Sequence, residues 1–214
     1  RQMCIRDRVN AKQEILSRIR SAQKQAGLPD HVDAPRDYHH EGTLNADELR
    51  DMLVDRLEDY KAEVHVTEEG ELKQTIATIL KDRECNDIRY AEGMDATLFE
   101  GFDAKPDDKS VDPRTLNETD AVVTYSHVTS AQTGTIVLES DERCGRRALT
   151  LVPDRHLCIV HQDEIVYGIP EVISRMNPEK PATWISGPSA TSDIELTRVE
   201  GVHGPRDLIV VIVK

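Results

Sequence analysis

The sequence predicts an α/β protein in which a layered, mostly parallel sheet is flanked by helices and preceded by an N-terminal helical extension. The first observation is that helical and strand periodicities alternate between residues 45 and 91, and such alternation is typical of parallel sheets. The second is a set of four short β-rich runs later in the chain. They lie at residues 121–124, 135–138, 149–152 and 157–160, and we expect them to form the centre of the sheet.

The N-terminal segment is predicted to be one helix followed by a linker. Apolar residues recur at helical spacing between residues 10 and 26, and a glycine follows as a stop signal. Residues 28–43 are rich in Pro, Asp and His without a period, which is typical of a linker. We therefore divide the chain into residues 1–43, the helix and linker, and residues 44–214, the α/β domain. Residues 1–8 have neither a period nor a capping residue, which favours an extension foreign to the native protein, and they are left out of the fold prediction.

The remaining elements follow from caps and apolar stripes. Asn45 with Glu48 is an N-terminal capping signature, and the leucines and methionine that follow make the buried stripe of a helix. Further helices are predicted at residues 72–80 and 169–176, and further strands at residues 62–67, 88–91, 184–185 and 208–213. Residues 93–118 contain several Gly, Pro and Asp residues and are expected to be irregular.

Composition excludes several classes of protein. The chain has 27 basic and 40 acidic residues and a formal charge of -13 at pH 7, so most of its surface would repel a nucleic acid. No apolar run approaches the roughly 20 residues of a membrane-spanning helix. The cysteines at positions 4, 85, 144 and 158 form no Cys-x-x-Cys pair that could hold zinc or an iron–sulfur cluster. This cysteine usage favours a reducing, cytoplasmic setting.

Residues 185–213 supply the candidate pocket. A strand, a Gly-Pro-Ser loop, a short helix near residues 192–198 and a final strand place polar groups at one edge of the sheet. Free amides at the start of that helix favour a carboxylate or phosphate. The residues that would contact this anion are Gly187, Ser189, Thr191 and Ser192. The alternative is that Ser192 only caps the helix, in a capping box with Glu195.

Two further segments are expected to supply other walls of the pocket. Thr133-Gly134-Thr135 begins a strand, and its glycine and hydroxyl groups let a ligand approach. A simple turn is the alternative for this segment. His203 lies in the turn Gly201-Val202-His203-Gly204-Pro205, where it is a candidate general acid or base, or a partner for a carboxylate. A purely structural histidine is the alternative there.

A basic cluster is the last candidate. It comprises Arg143, Arg146 and Arg147. Guanidinium groups can grip a carboxylate or phosphate, and the alternative is a solvated surface. No metal site is predicted, because His156 and Cys158 would share one face of a strand while His161 takes the other. The sequence has no Gly-x-Ser-x-Gly elbow, P-loop or dinucleotide fingerprint, so a cofactor bound by this chain alone is not expected.

Four motifs, taken in order, resemble one family. They are Thr133-Gly134-Thr135, then Arg146-Arg147-Ala148-Leu149-Thr150-Leu151-Val152-Pro153, then Ile185-Ser186-Gly187-Pro188-Ser189-Ala190-Thr191-Ser192-Asp193-Ile194-Glu195, then Gly201-Val202-His203-Gly204-Pro205. Their order and spacing between residues 120 and 214 resemble the lactate utilisation protein C family, a part of the lactate-utilisation (LUD) domain group. The chain departs from the family pattern at Gln132, where a Glu is common, and this departure puts a carboxylate role there in doubt.

The resemblance implies a fold similar to that of coenzyme A transferases and ribose-5-phosphate isomerase, with ligands bound near strand-end loops. It also implies a cytoplasmic role in the oxidation of L-lactate to pyruvate. In that role the iron–sulfur clusters belong to partner proteins, and this chain itself binds no cofactor.

The leading hypothesis is therefore a component of an L-lactate utilisation system that binds a small carboxylate or other anion. The residues around the anion would be Thr133, Thr135, Ser189, Thr191 and His203. Two alternatives stay open. One is a free-standing enzyme of the same fold that acts on an acyl-coenzyme A, sugar phosphate or folate-like substrate, and the other is a non-catalytic scaffold subunit. A homo-oligomer is compatible with each of them.

Overall fold

The computed structural model describes residues 8–29, 31–192, 198–200 and 204–214. Its helices are α1 (Arg8–Gln25), α2 (Ala46–Asp59), α3 (Leu72–Asp82), α4 (Arg147–Leu151) and α5 (Ile169–Arg175). Its strands are β1 (Glu63–Thr67), β2 (Asp87–Tyr90), β3 (Asp103–Pro106), β4 (Ala121–Tyr125), β5 (Val128–Ser130), β6 (Thr135–Glu139), β7 (Arg155–His161), β8 (Ile165–Val166), β9 (Ala182–Ile185), β10 (Ala190–Ser192), β11 (Arg198–Glu200) and β12 (Asp207–Val213). Among the described helices, none is both long enough and apolar enough to cross a membrane. The chain divides into two units, Arg1–Tyr38 and His39–Lys214.

Six parallel strands of the second unit form the main sheet. Their order is β1-β12-β7-β4-β2-β3. The strands β7 and β12 lie side by side in the interior of this sheet, where Leu157 pairs with Ile209. Nearly all of their residues are buried, as expected of strands that are covered on both faces.

Different elements cover the two faces of the main sheet. Leu157 of β7 belongs to a core that includes Ile76 of α3. Cys158, the next residue, belongs to a second core that includes Leu57 of α2. Because side chains alternate along a strand, His156 lies on the same face as Cys158, toward α2.

A second, smaller sheet also packs on that face. Its order is β8-β5-β6-β9, in which β6 is antiparallel to both of its neighbours. Ile136 and Leu138 of β6 share a core with Val210 and Ile212 of β12. The strands β10 and β11 form a separate antiparallel pair. The second unit is therefore layered, with helix α3 on one face of the main sheet, and helix α2 and the small sheet on the other.

The helix α2 illustrates how local sequence fixes an element. The side chain of Asn45 accepts hydrogen bonds from the backbone N–H groups of Asp47 and Glu48, both at 3.0 Å. The carboxylate of Glu48 accepts one from the backbone N–H of Asn45 at 2.9 Å. Leu53 and Leu57 are fully buried on the core side. The predicted capping box and apolar stripe are both confirmed.

Most other predicted elements are confirmed as well. The helices α1, α3 and α5 coincide with predicted helices, and the strands β1, β2, β4, β7 and β12 with predicted strands. The predicted mostly parallel sheet flanked by helices, with an N-terminal helix before it, is confirmed. The one-sheet arrangement is wrong, because β6 and β9 pair with each other in the small sheet. The period of a short strand does not indicate which sheet it joins.

The run at residues 149–152 is not a strand, contrary to the prediction. Leu149 and Thr150 are buried residues of the short helix α4. A short apolar run is buried equally well as a strand or as a turn of helix, so its composition does not distinguish the two. The strand that pairs with β7 in the sheet interior, on the side away from β4, is β12 instead.

Two predictions for polar segments also disagree with the structure. Residues 93–118 include β3, an edge strand that pairs with β2 and has no apolar pattern to reveal it. The two end residues of the helix predicted near residues 192–198 are strand residues instead, because Ser192 pairs with Arg198 between β10 and β11, and residues 193–197 lie outside the described residues. The predicted capping box of Ser192 with Glu195 stays a prediction, because Glu195 lies outside the described residues. Residues such as Ser and Thr suit a strand as well as a helix cap.

Candidate functional site

A cleft of about 220 Å³ opens where the first residues of β7 and β12 meet the end of β9 and helix α4. Its described lining comprises Thr150, Leu151, His156, Thr183, Trp184, Ile185, Ser186, Gly187, Pro188, Ser189, Gly204, Pro205 and Leu208. The predicted loop at residues 187–189 thus lines a cleft. The main sheet contributes its amino edge here, whereas ligands of open parallel sheets usually bind at the carboxyl edge.

His156, on β7, is one of the residues that line this cleft, and it is fully buried. Its Nε2 lies 2.9 Å from Oγ1 of Thr124, on the neighbouring strand β4. The Thr124 hydroxyl also lies within donating distance, 3.9 Å, of the sulfur of Cys158. The Nδ1 atom of His156 has no hydrogen-bond partner among the described residues. Burial lowers the pKa of His156 to about 4, so the imidazole is neutral near pH 7.

A chain of hydroxyl groups leads from the predicted Thr133-Gly134-Thr135 segment to the cleft. Oγ1 of Thr133 lies 2.9 Å from Oγ of Ser130 and 2.8 Å from Oγ1 of Thr135. Oγ1 of Thr135 is in turn hydrogen-bonded to Oγ of Ser186 at 2.9 Å. Ser186 lines the cleft, so the structure brings Thr135 within one hydroxyl group of it.

Two glycines bring the loops of the site against the C-terminal end of α2. Gly134 and Gly187 have φ angles of 59° and 81°, in the left-handed region. A Cβ atom on Gly134 would lie 2.9 Å from Cβ of Arg56, and one on Gly187 would lie 2.5 Å from Cβ of Tyr60. Both positions therefore need glycine for the packing of a helix, whatever ligand the loops also admit.

The turn at residues 204–205 is tied to the loop at residues 187–189. The backbone N–H of Ser189 donates to the carbonyl oxygen of Pro205 at 2.7 Å. His203 precedes this turn but lies outside the described residues, so its role stays a prediction. Thr191 and Ser192 belong to β10, which begins directly after the loop.

The predicted basic cluster is divided among separate partners. Arg146 forms a two-point ion pair with Asp107, Nε to Oδ2 at 2.8 Å and Nη2 to Oδ1 at 3.0 Å. Arg143 pairs with Glu164 at 2.6 Å. Arg147 is exposed and forms no ion pair with the described residues. A ligand that binds Arg146 would therefore have to compete with Asp107.

One group of potential metal ligands lies outside the cleft. His127, Glu139 and Asp141 offer ligand atoms within 4.8 Å of one another. Nζ of Lys180 lies 3.3 Å from Glu139 and 3.4 Å from Asp141. Glu139 also accepts a hydrogen bond from the backbone N–H of Asn177 at 2.6 Å. The ammonium group of Lys180 thus already pairs with both carboxylates.

The cleft suits a small polar ligand with an apolar side. The described lining provides hydroxyl groups, one neutral imidazole and the apolar side chains of Leu151 and Leu208, but no charged side chain. From the sequence, His156 was a candidate only for a metal ligand, and its place in the cleft was not predicted. Its partner Thr124 is 32 residues away, so no local pattern connects the two.

The fold and the cleft together define the class of protein. It is a layered α/β protein with a parallel main sheet and a polar cleft at the amino edge of that sheet. The chain belongs to the LUD domain family, whose model matches residues 50–213. This confirms the resemblance of its motifs to that family.

Relatives that extend over nearly the whole chain have consistent names. A protein of Deinococcus radiodurans named lactate utilization protein C is 38% identical over 95% of both chains. One of Macrococcus caseolyticus with the same name is 27% identical over 94% of both chains. The crystal structure of a DUF162 family protein from Deinococcus radiodurans superposes with a TM-score of 0.67 at 32% identity, covering 80% of this chain and 99% of that chain.

Proposed function

We propose that this chain is a cytoplasmic component of an L-lactate utilisation system, in which L-lactate is oxidised to pyruvate together with iron–sulfur partner proteins. The observation that carries the proposal is the 38% identity, over 95% of both chains, to a protein named lactate utilization protein C. The match of the LUD domain to residues 50–213 supports it, because this range includes both sheets and the cleft.

The proposed ligand is a small carboxylate or other anion bound in the cleft. Gly187 and Ser189 line it, and Thr133 and Thr135 reach it through Ser186. Hydroxyl and backbone N–H groups can bind a carboxylate without a cationic side chain. The further residues proposed for this ligand are Gly134, Arg146, Arg147, Thr191, Ser192 and His203.

The chemistry of the described cysteines supports an electron path that lies in partner proteins. Cys85, Cys144 and Cys158 are all buried. Burial raises the pKa of each thiol, that of Cys158 to about 12. A raised pKa disfavours the thiolate form that iron–sulfur clusters use as a ligand. We therefore assign the iron–sulfur clusters to other subunits and no cofactor to this chain.

Growth of a deletion strain tests the function. Deleting the gene is expected to abolish growth on L-lactate as sole carbon source while growth on pyruvate stays normal. A plasmid copy should restore growth on L-lactate. Unchanged growth of the deletion strain on L-lactate would overturn the proposal.

Complementation with cleft variants tests whether ligand binding is needed. The double variant Ser189→Ala with His203→Ala should fail to restore growth, whereas Ser174→Ala, an exposed serine on α5, should restore it. If the double variant restores full growth, ligand binding in the cleft is not needed, and the chain acts as a scaffold subunit. Circular dichroism of each purified variant checks that it is folded.

Co-purification tests the partners. The tagged chain isolated from lactate-grown cells should bring with it non-haem iron and acid-labile sulfide, and the untagged chain should not. An eluate without iron would contradict the assignment of iron–sulfur partners.

A further inference from the structure

We propose that His156 binds the ligand of the cleft, and that this ligand is a small 2-hydroxy carboxylate whose hydroxyl group donates a hydrogen bond to Nδ1. The inference rests on the proposed function, which supplies L-lactate as the probe, and it adds the residue and the ligand group that meet. Among the described residues, His156 combines a cleft position with full burial and an unpartnered polar atom, Nδ1.

The position of the imidazole is fixed from one side only. Nε2 is held by the Thr124 hydroxyl at 2.9 Å. The strand register places Val122 opposite His156 and Thr124 opposite Cys158, so the contact runs diagonally between two interior strands. Such strands are held by main-chain pairing on both sides and move little. The ring is therefore held in one orientation, and it loses little conformational freedom when a ligand binds.

The proposal assigns the imidazole proton to Nε2, which is one of the two arrangements that the contact with Thr124 allows. Oγ1 of Thr124 can donate its single proton to the sulfur of Cys158, 3.9 Å away. With that proton directed to sulfur, Oγ1 accepts a hydrogen bond from Nε2–H of His156. Nδ1 is then the unprotonated nitrogen and has a lone pair. An atom in this state accepts a hydrogen bond from a donor and cannot bind a carboxylate oxygen.

The surroundings of the ring select the kind of donor. A buried polar atom without a partner is rare in folded proteins and costs free energy, so a ligand hydroxyl that satisfies Nδ1 is favoured. The described lining has no charged side chain, and the apolar residue Leu208 is the register partner of His156 on the neighbouring strand β12. An uncharged hydroxyl suits this end of the cleft. The carboxylate would lie toward the loop that contains Ser186 and Ser189.

Binding of L-lactate and of propionate to the purified full chain tests the proposal. Propionate is L-lactate without the hydroxyl group, so their affinity ratio isolates one hydrogen bond. By isothermal titration L-lactate should bind at least about tenfold more tightly, the effect expected of one buried hydrogen bond. Equal affinities, or no binding of L-lactate, would overturn the proposal.

Two substitutions of His156 separate its nitrogen atoms. His156→Gln places its amide near the Nε2 position, so it keeps a partner for Thr124 and removes the acceptor at Nδ1. It should bring the affinity ratio close to one. His156→Asn places its amide near Nδ1 and should restore part of the preference for L-lactate. His161→Gln, at the other end of β7, is the matched control. If His156→Gln still binds L-lactate more tightly than propionate by the wild-type ratio, the assignment of the ligand hydroxyl to Nδ1 is wrong.

Nitrogen-15 spectra of the histidines give a second readout. The resonances that disappear in His156→Gln identify His156, which should be the Nε2–H form, and its Nδ1 resonance should shift with L-lactate but not with propionate. A Nδ1–H form would overturn the inference. Growth on L-lactate of a strain that carries His156→Gln is the last readout. If this strain grows normally although the purified variant no longer prefers L-lactate over propionate, the ligand contact is real but dispensable. That result would overturn the role of the contact in lactate utilisation. If only the His156 proposal fails, the deletion strain still does not grow on L-lactate. Failure of this proposal is therefore distinguishable from failure of the proposed function.

Discussion

Gly187 and Tyr60 are packed so closely that no side chain fits between them: a Cβ atom on Gly187 would lie 2.5 Å from Cβ of Tyr60. The φ angle of Gly187 is 81°, which L-residues with a side chain rarely adopt. This contact fixes the loop of the cleft to the C-terminal end of α2. The same helix end also meets Gly134, so one helix positions two loops of the site.

The first prediction concerns this contact. Gly187→Ala should lower the free energy of unfolding by about 2 to 4 kcal/mol, because backbone strain and overpacking add at this position. Urea unfolding of the purified variant measures it. Gly101→Ala is the matched control, since Gly101 also has a positive φ, 96°, but has no heavy atom within 4 Å of an added Cβ. The control should cost only about 1 kcal/mol. Equal losses for the two variants would contradict the packing argument.

The second prediction concerns the ion pair of Arg146 and Asp107. Asp107→Asn should lower the free energy of unfolding by about 2 to 3 kcal/mol, because it leaves a mostly buried guanidinium without its carboxylate. The side chains of this pair are 20% and 4% exposed. The control is Asp154→Asn, whose pair with Arg206 has the same two-point geometry but is 60% and 58% exposed. It should cost less than about 1 kcal/mol. A cost for Asp154→Asn that matches Asp107→Asn would show that burial is not the reason.

The third prediction concerns pH. Burial lowers the pKa of His156 to about 4, against an ordinary value of 6.5. Above pH 6.5 the side chain is neutral in the folded and the unfolded chain and contributes no pH dependence. Between pH 6.5 and 4 only the unfolded chain takes up the proton, so stability falls as the pH falls. From pH 7.5 to 5 this loss should be about 2 kcal/mol.

Urea unfolding of the wild type and of His156→Gln at both pH values isolates the histidine, because all other titrating groups are shared. The variant should lose about 2 kcal/mol less than the wild type over this interval. Identical losses in both proteins would mean that His156 titrates normally and is therefore solvated.

The fourth prediction concerns the hydroxyl chain. Thr135→Val keeps the shape of the side chain but removes the group that joins Thr133 to Ser186. It should lower the free energy of unfolding by about 1 to 2 kcal/mol, because two neighbouring, partly buried hydroxyl groups lose a partner. Thr78→Val, an exposed helical threonine, should change stability by less than about 0.5 kcal/mol. If the thermal unfolding midpoint of Thr135→Val equals that of the wild type, the hydroxyl groups do not contribute to stability and the prediction is wrong.

The elements that could be predicted from sequence are those whose signal is local. The capping pair Asn45 and Glu48 and the stripe that includes Leu53 lie within a few turns of one another, and they specify α2 completely. The cleft could be predicted only in part. The loop at residues 187–189 was identified by its glycine and hydroxyl groups, but its contact with Tyr60 depends on how a distant helix packs.

The missed features share a physical cause. Whether Leu149 lies in a helix or a strand depends on which neighbours cover it, and burial is equal in both cases. The pairing of β4 with β7, which brings Thr124 to His156, joins segments far apart in sequence. A single histidine in an apolar strand has no periodic partner, so neither its burial nor its unpartnered nitrogen has a signature in the sequence.

The place of β12 in the main sheet has a consequence for how the protein is made. This strand, the last described element, lies between β1 and β7, so every strand on either side is synthesised before it. While the ribosome still holds residues 207–213, β1 and β7 present open edges that other chains can pair with. The main sheet therefore closes only when β12 inserts between these two edges, after its other five strands have been synthesised.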